Sequence, residues 1–343
     1  MVNLTFDVLK AKKNLKEGLS PLVSIVINFY NEVNNIDYAL SCLVNQSYKN
    51  FEVILVDDGS TDGTSEEILR KGYFQTLPNC KLIRIKHCGL VCARRVGILN
   101  AKGDIIVVLD MHTIFRENLI EDIVKIFSQN ELLAAVSMKV VPFGRRWFIK
   151  GLNILNELVD LINNTIFKRY SFIRGGGAAY NRLLLETKGI QLYSFPDDIP
   201  EDIFLSWEIH KKHLKIEYHP ELIIYHVESE NFISHLKRYF KNGCQLKKLI
   251  RHYKHKLVYP QILLRILFLP SLILTSLLLP LNALFFILCS LTSSLVFALI
   301  VLSRKGFLKA KLTEIPYFLV VLFLFLSISF LGILSSLIRD VKP

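Results

Sequence analysis

At 343 residues, with 51% hydrophobic content, 42 Lys and Arg against 30 Asp and Glu, and a formal net charge of +12, the chain is too apolar for an ordinary soluble protein of its length. The excess sits at one end: residues 1 to about 230 read as a mixed soluble region, whereas 262–302 and 315–338 are nearly uncharged and long enough to cross a bilayer. Composition therefore points to a membrane enzyme or a membrane-tethered module. Residues 1–20 contain lysines but no apolar core of the length a secretory signal needs, so the soluble part is expected to stay in the cytosol. The six cysteines, Cys42, Cys80, Cys88, Cys92, Cys244 and Cys289, show no paired spacing beyond Cys88-x-x-x-Cys92. They are expected to be plain buried thiols in a reducing compartment, with no zinc or disulfide framework.

In chain order, the β-branched run at 22–28 predicts a strand, closed by Tyr30-Asn31-Glu32 before a helical stretch at 36–45. Residues 51–56 form the next strand. It runs into Asp57-Asp58-Gly59-Ser60-Thr61-Asp62-Gly63, a turn of glycines, small hydroxyls and carboxylates, after which 64–70 reads as a helix. Strand 82–86 and helix 90–101 repeat the pattern, and the apolar run 105–109 after Gly103-Asp104 has the character of a strand buried on both faces. Such strand–helix alternation predicts a parallel sheet with right-handed crossovers.

That last strand ends on Asp110-Met111-His112. Residues two apart in extended chain point the same way, so strand geometry that persists through Met111 would have Asp110 and His112 offer an oxygen and a nitrogen ligand to one spot. In an open α/β sheet, ligands bind beyond the carboxyl ends of the strands. The competing structural reading makes Asp110 the cap of a helix starting near Phe115 and His112 a surface loop residue. Asp57-Asp58 end a second strand and would converge with Asp110 on one crevice. Carboxylates there can bind ribose hydroxyls, accept from a base N–H, or hold a divalent cation that neutralises a diphosphate. The chain has no glycine-rich phosphate loop of dinucleotide or P-loop type, which speaks against NAD or ATP chemistry.

The run from Pro21 through Ser24, Asn28 and Tyr30 to Glu32, the segment from Phe51 to Asp57-Asp58-Gly59-Ser60-Thr61-Asp62, Ala93-Arg94 ahead of Gly97, and Ala101-Lys102-Gly103 together resemble a family 2 inverting glycosyltransferase of the GT-A fold. The resemblance covers about residues 20–230. It implies a GT-A-type, Rossmann-like α/β domain with a mostly parallel sheet, and a nucleotide-diphosphate sugar as donor. By position it places Asn28, Asp58 and Arg94 around the base and Glu32 near the ribose, while Asp110 and His112 fill the family's Asp-x-Asp metal motif. The chain departs from that motif in carrying His at the second acid. Imidazole suits Mn²⁺ better than Mg²⁺, so a divalent metal with Mn²⁺ favoured is expected.

Further along, 132–141 reads as a strand and 147–166 as an amphipathic helix lying on the sheet or on a membrane surface. Arg174-Gly175-Gly176-Gly177 either permits a tight turn or lets a ligand approach the backbone. The resemblance places this segment beside the donor sugar and acceptor, which makes Gly176 a donor-site residue. Asp197-Asp198-Ile199-Pro200-Glu201-Asp202 then leads into a helix whose start Pro200 suits. The helix dipole alone would favour carboxylates there. The resemblance makes this the catalytic-base segment, with Asp202 accepting the proton of the attacking hydroxyl and Glu201 as its neighbour and substitute.

After a strand at 222–227, residues 231–256 carry Lys237, Arg238, Lys241, Lys247, Lys248, Arg251, Lys254 and Lys256 and no acid. Beside apolar spans this reads as an interfacial helix on anionic lipid, not a nucleic-acid surface. Arg238 occupies the place where the resembling family carries an Arg near the leaving diphosphate, so pyrophosphate and lipid are both readings of it. In the apolar end, 266–302 would make two crossings with a break near Pro280-Leu281-Asn282, or a re-entrant segment, and Arg304, Lys305, Lys309 and Lys311 place the following loop on the cytosolic side. The expected organisation is a polar segment at 1–20, a glycosyltransferase domain at 21–230, a basic interfacial helix at 231–258 and about three transmembrane helices in 259–343. The expected activity is inverting transfer of a hexose to a hydroxyl of a lipid-linked or membrane-borne glycan on the cytoplasmic face. The alternatives are a polyprenyl-phosphate sugar synthase and a noncatalytic membrane-bound module of the same fold.

Overall fold

The computed structural model of the protein describes residues 20–165, 173–197, 199–238 and 240. It divides into two compact units, one of Met1–Val141 with Arg169–Val227 and one of Pro142–Lys168 with Glu228–Pro343. In chain order the elements are β1 (Val23–Phe29), α1 (Ile36–Val44), β2 (Phe51–Asp57), α2 (Thr64–Arg70), α3 (Tyr73–Thr76), β3 (Cys80–Arg84), α4 (Leu90–Asn100), β4 (Ile105–Asp110), β5 (Thr113–Phe115), α5 (Leu119–Gln129), β6 (Leu133–Phe143), α6 (Trp147–Thr165), β7 (Gly177–Asn181), α7 (Arg182–Thr187), α8 (Glu201–Lys211) and β8 (Lys215–Val227).

The strands form one sheet in the order β3-β2-β1-β4-β7-β6-β8-β5. β3, β2, β1 and β4 are mutually parallel, as the strand–helix alternation predicts. At β7 the direction reverses: β7 runs antiparallel to β4 and to β6, and β5 is antiparallel to β8. The mostly parallel sheet expected from the sequence is therefore a mixed one.

The inner strands are mostly apolar because both faces are covered. Ile25, Ile27, Leu55, Val107 and Leu109 pack against Ile36 and Leu40 of α1 and Ile123 and Phe127 of α5. The alternate residues Val26, Ile54, Val56, Ile106 and Val108 pack with Ala93 and Ile98 of α4 and with Leu205 and Ile209 of α8. Two of the buried polar groups in β1 and β2 satisfy each other: Ser24 Oγ donates to Glu52 Oε1 at 2.6 Å, and the Lys102 N–H donates to the same oxygen at 2.7 Å. A side chain at Gly97 would collide with Val26, so α4 lies against β1 at a separation that only glycine permits. This brings the first turns of α4 close to the carboxyl ends of the strands.

Within the second unit, Phe148, Ile149 and Leu152 of α6 pack against Phe232 and Leu236, so this part of the amphipathic helix buries its apolar side on protein. The spans expected at 262–302 and 315–338, and most of the basic segment, lie outside the described residues. Among the described residues no helix is long and apolar enough to cross a membrane.

Candidate active site

The site grows out of strand register. Asn28 pairs with Asp110 and Phe29 with Asp57, so the last residues of three adjacent parallel strands lie side by side at one edge of the sheet. The next helix begins only at Leu119, which removes the reading of Asp110 as a helix cap. Thr113 Oγ1 donates to the Asp110 carbonyl at 2.6 Å and holds the turn, while Met111 is fully buried. The strand thus breaks into a turn at Met111-His112, and Asp110 and His112 stay partly exposed on either side of the buried Met111.

Arg94 on α4 ties this edge together. Its Nε donates to Asn28 Oδ1 at 3.1 Å, one terminal nitrogen donates to Asp110 Oδ1 at 2.9 Å, and the other meets Glu201 Oε1. Burial opposes the guanidinium charge, but the carboxylates of Glu201, Asp110 and Asp202 outweigh it and raise the Arg94 pKa. Burial likewise raises Asp110, and Arg94 with the two nearby imidazoles reverses the effect, holding its carboxyl below the usual range. The side chain expected beside the base is thus engaged with Asn28, Asp110 and the start of α8.

Asp202 occupies the first turn of α8 beside Glu201. Its Oδ2 accepts from the Gly175 N–H at 2.9 Å and its Oδ1 from the Ile203 N–H at 2.8 Å. Burial first, and the Glu201 carboxylate second, push its pKa up to about 7 against the opposing pull of Arg94 and the two N–H groups. The two adjacent acids therefore differ: Glu201 is buried on Arg94, whereas Asp202 faces the glycine segment. Gly176 has φ +76°, and a Cβ there would collide with Asp110 Oδ2, so this backbone is pressed against the strand-end carboxylate.

Asp58 is 3% exposed and its carboxylate is wrapped by the loop before α4. The N–H groups of Cys88 and Gly89 donate to it at 2.7 and 2.9 Å. Cys88 is joined to Cys92 by a disulfide with a Cα–Cα separation of 5.8 Å. This corrects the expectation of plain thiols for this pair: Gly89, at φ +96°, turns the chain so that residue 88 folds back onto the first turn of α4. Cys42 and Cys80 are free thiols. Beside Asp58 the ring of Tyr30 lies 4.3 Å from that of His87, an aromatic pair that the sequence pattern does not mark.

The second residue missed is His226, at the end of β8. The antiparallel pairing sets it opposite Thr113, and its Nε2 lies 2.8 Å from His112 Nε2 and 3.6 Å from Asp110 Oδ2. One ligand atom from each of Asp110, His112 and His226 falls within 4.8 Å of the other two. An oxygen and two imidazole nitrogens converging this closely fit a borderline divalent cation. Glu32, expected near the ribose, lies 2.8 Å from His112 Nδ1. Arg238 belongs to the second unit, where its guanidinium meets Glu228 at 3.1 Å. Asp198 lies outside the described residues, while Asp197 pairs with Arg95.

A mixed α/β sheet with carboxylates gathered at the carboxyl ends of its parallel strands has the arrangement in which open α/β folds bind ligands. Residues 24–188 match the model of Glycosyl transferase family 2. An uncharacterized glycosyltransferase of Rickettsia conorii is 34% identical over 113 residues, covering 32% of this chain and 18% of that protein. The minor teichoic acid biosynthesis protein GgaA of Bacillus subtilis is 27% identical over 170 residues, covering 44% of this chain and 38% of that one. The chain thus spans well under half the length of these relatives. Among solved structures, a mannosyltransferase of Pyrobaculum calidifontis in complex with GDP-Man and Mn²⁺ superposes with a TM-score of 0.58 at 20% identity, covering 96% of this chain and 94% of that one, a likeness of fold.

Proposed function

We propose that the chain is a membrane-anchored inverting glycosyltransferase that moves a hexose from a nucleotide-diphosphate sugar to a hydroxyl of a lipid-linked or membrane-borne glycan at the cytoplasmic face. The observation that carries this reading is Arg94, which touches both Asp110 of the cation cluster and Glu201 of the α8 entry, so that donor-side groups and the candidate base share one cleft. Asp202 takes the proton of the acceptor hydroxyl as its oxygen bonds to the sugar C1. The C1–diphosphate bond breaks with its electron pair going to the diphosphate, which inverts the anomeric carbon. Asp58 accepts from the base, with Tyr30 and His87 as an aromatic edge beside it. Asp110, His112 and His226 would hold a divalent cation, Mn²⁺ in preference to Mg²⁺, which supplies charge neutralisation to the leaving diphosphate. The GDP-Man and Mn²⁺ of the Pyrobaculum complex support a nucleotide sugar and a cation, and the teichoic acid role of the Bacillus relative supports a growing glycan as acceptor.

A pKa of Asp202 near neutrality suits a general base and favours a hydroxyl acceptor over a polyprenyl phosphate, which is already ionised and needs no base. The convergence of His226 on Asp110 and His112 favours a working site over a noncatalytic module. The test is to incubate membranes containing the full chain with a panel of labelled nucleotide sugars, with Mn²⁺ or with chelator, and to extract the lipid fraction. Label should enter lipid or polymer only with cation and should be lost in Asp110→Ala. Equal inertness of both proteins across the panel would leave only the binding-module reading.

A further inference from the structure

We infer that Glu32 is the positioning residue of His112, fixing the tautomer that turns the His112 Nε2 lone pair toward Asp110 and His226. The inference rests on the cation reading of that cluster. Glu32 Oε1 lies 2.8 Å from His112 Nδ1, with the two side chains 16% and 23% exposed. An ionised carboxylate only accepts, so the proton between the two groups sits on Nδ1, and Nε2 is the nitrogen left to meet a cation. That nitrogen is the one 2.8 Å from His226 Nε2. Hydrogen-bonding the distal imidazole nitrogen to a carboxylate orients a metal-binding ring and raises its basicity.

The carboxylate is itself held. Its Oε2 accepts from Asn35 Nδ2 at 2.5 Å, and the Glu32 backbone N–H donates to Thr64 Oγ1 at 2.9 Å. Both oxygens are therefore engaged on the protein side, and the group is aimed by the turn between β1 and α1. The arrangement also accounts for the histidine itself. An aspartate at 112 would set a second carboxylate against Glu32, where like charges repel. Glu32 and His112 are one device, 80 residues apart in sequence.

The competing role is structural, Glu32 merely bracing its turn through Asn35. The test measures Mn²⁺ affinity of the full chain in detergent, from the electron paramagnetic resonance signal of free Mn²⁺, for wild type, Glu32→Gln, His112→Asp, the double variant and His226→Ala. Long-range ¹H–¹⁵N spectra of labelled histidine read the His112 tautomer, with His112→Asp assigning its signals. Glu32→Gln should weaken Mn²⁺ binding by roughly 10- to 100-fold and remove the single Nδ1–H signature. In the His112→Asp background the same change should leave affinity equal or improved, since no tautomer remains to be set. Equal weakening in both backgrounds, or wild-type affinity and tautomer in Glu32→Gln, overturns the inference. If His226→Ala loses Mn²⁺ while Glu32→Gln keeps it, the inference alone falls. Wild type that binds no Mn²⁺, or His226→Ala that binds it as tightly, brings down the cation reading and the inference together.

Discussion

Replacing Asp202 with asparagine should cost activity and add stability, and the added stability should depend on pH. The folded protein holds this carboxyl at about 7 against an ordinary 3.8. Between those values the folded chain binds a proton that the unfolded chain has released, so wild-type stability falls as pH rises across the window, by on the order of 4 kcal/mol once pH exceeds 7. The amide of the variant would carry no charge and escape that loss. It offers one acceptor oxygen where Asp202 serves both Gly175 and Ile203, a deficit of about 1 kcal/mol. Net, Asp202→Asn should be roughly 3 kcal/mol more stable at pH 8 and about 1 kcal/mol less stable below pH 4. Turnover should drop by about 10²- to 10⁴-fold at every pH. Thermal unfolding in detergent across pH 4–8, paired with sugar transfer, reads both. A variant no more stable than wild type at pH 8, or one that retains turnover, refutes the assignment of Asp202 as a buried base.

Three further substitutions probe the cleft. Arg94→Ala leaves Asp110 and Glu201 facing each other without their shared cation and should cost about 3–5 kcal/mol by denaturant unfolding. Gly176→Ala combines a left-handed backbone with a clash on Asp110, and should lose about 1–3 kcal/mol in unfolding experiments together with most of its Mn²⁺ binding. Reducing the Cys88–Cys92 bond with a dithiol, or replacing Cys92 with serine, releases the loop whose N–H groups hold Asp58. Donor KM should rise several-fold with kcat little changed, which initial-rate kinetics on oxidised and reduced protein will read.

The parallel half of the fold was legible because its signals are local: apolar runs, turn glycines and helical stretches alternate within a few residues, and the carboxylates stand at the strand ends themselves. Asp58 and Asp110 follow directly from that pattern. The antiparallel half was not. β5 is three residues long, too short for any periodicity, and only its pairing with β8 brings His226 to His112, 114 residues earlier. A lone histidine closing an apolar strand carries no mark of that partner. The disulfide was missed for a similar reason: a spacing of four is common in reduced proteins, and the left-handed turn at Gly89 is a backbone property that composition does not reveal. The reversal at β7 also depends on a long connection through α6, where crossover rules give no direction.

Glu201 and Asp202 are sequence neighbours of the same chemistry, and the fold gives them opposite tasks. Glu201 is 3% exposed and paired with Arg94, whereas Asp202 is raised by burial and by the Glu201 charge beside it. This makes a separate prediction for Glu201→Gln. Removing that carboxylate lifts the like charge from Asp202 and frees one terminal nitrogen of Arg94, whose pull on Asp202 already lowers its pKa. Both changes act in the same direction, so Asp202 should ionise at lower pH. In wild type the base form accumulates as pH rises through about 7, giving an acid limb to kcat there. In Glu201→Gln that limb should move toward lower pH, with turnover retained on the alkaline plateau and somewhat reduced by the weaker base. A limb that stays in place would show that Glu201 does not set the Asp202 ionisation, and loss of turnover at every pH, with Asp202→Asn still active, would make Glu201 the base instead.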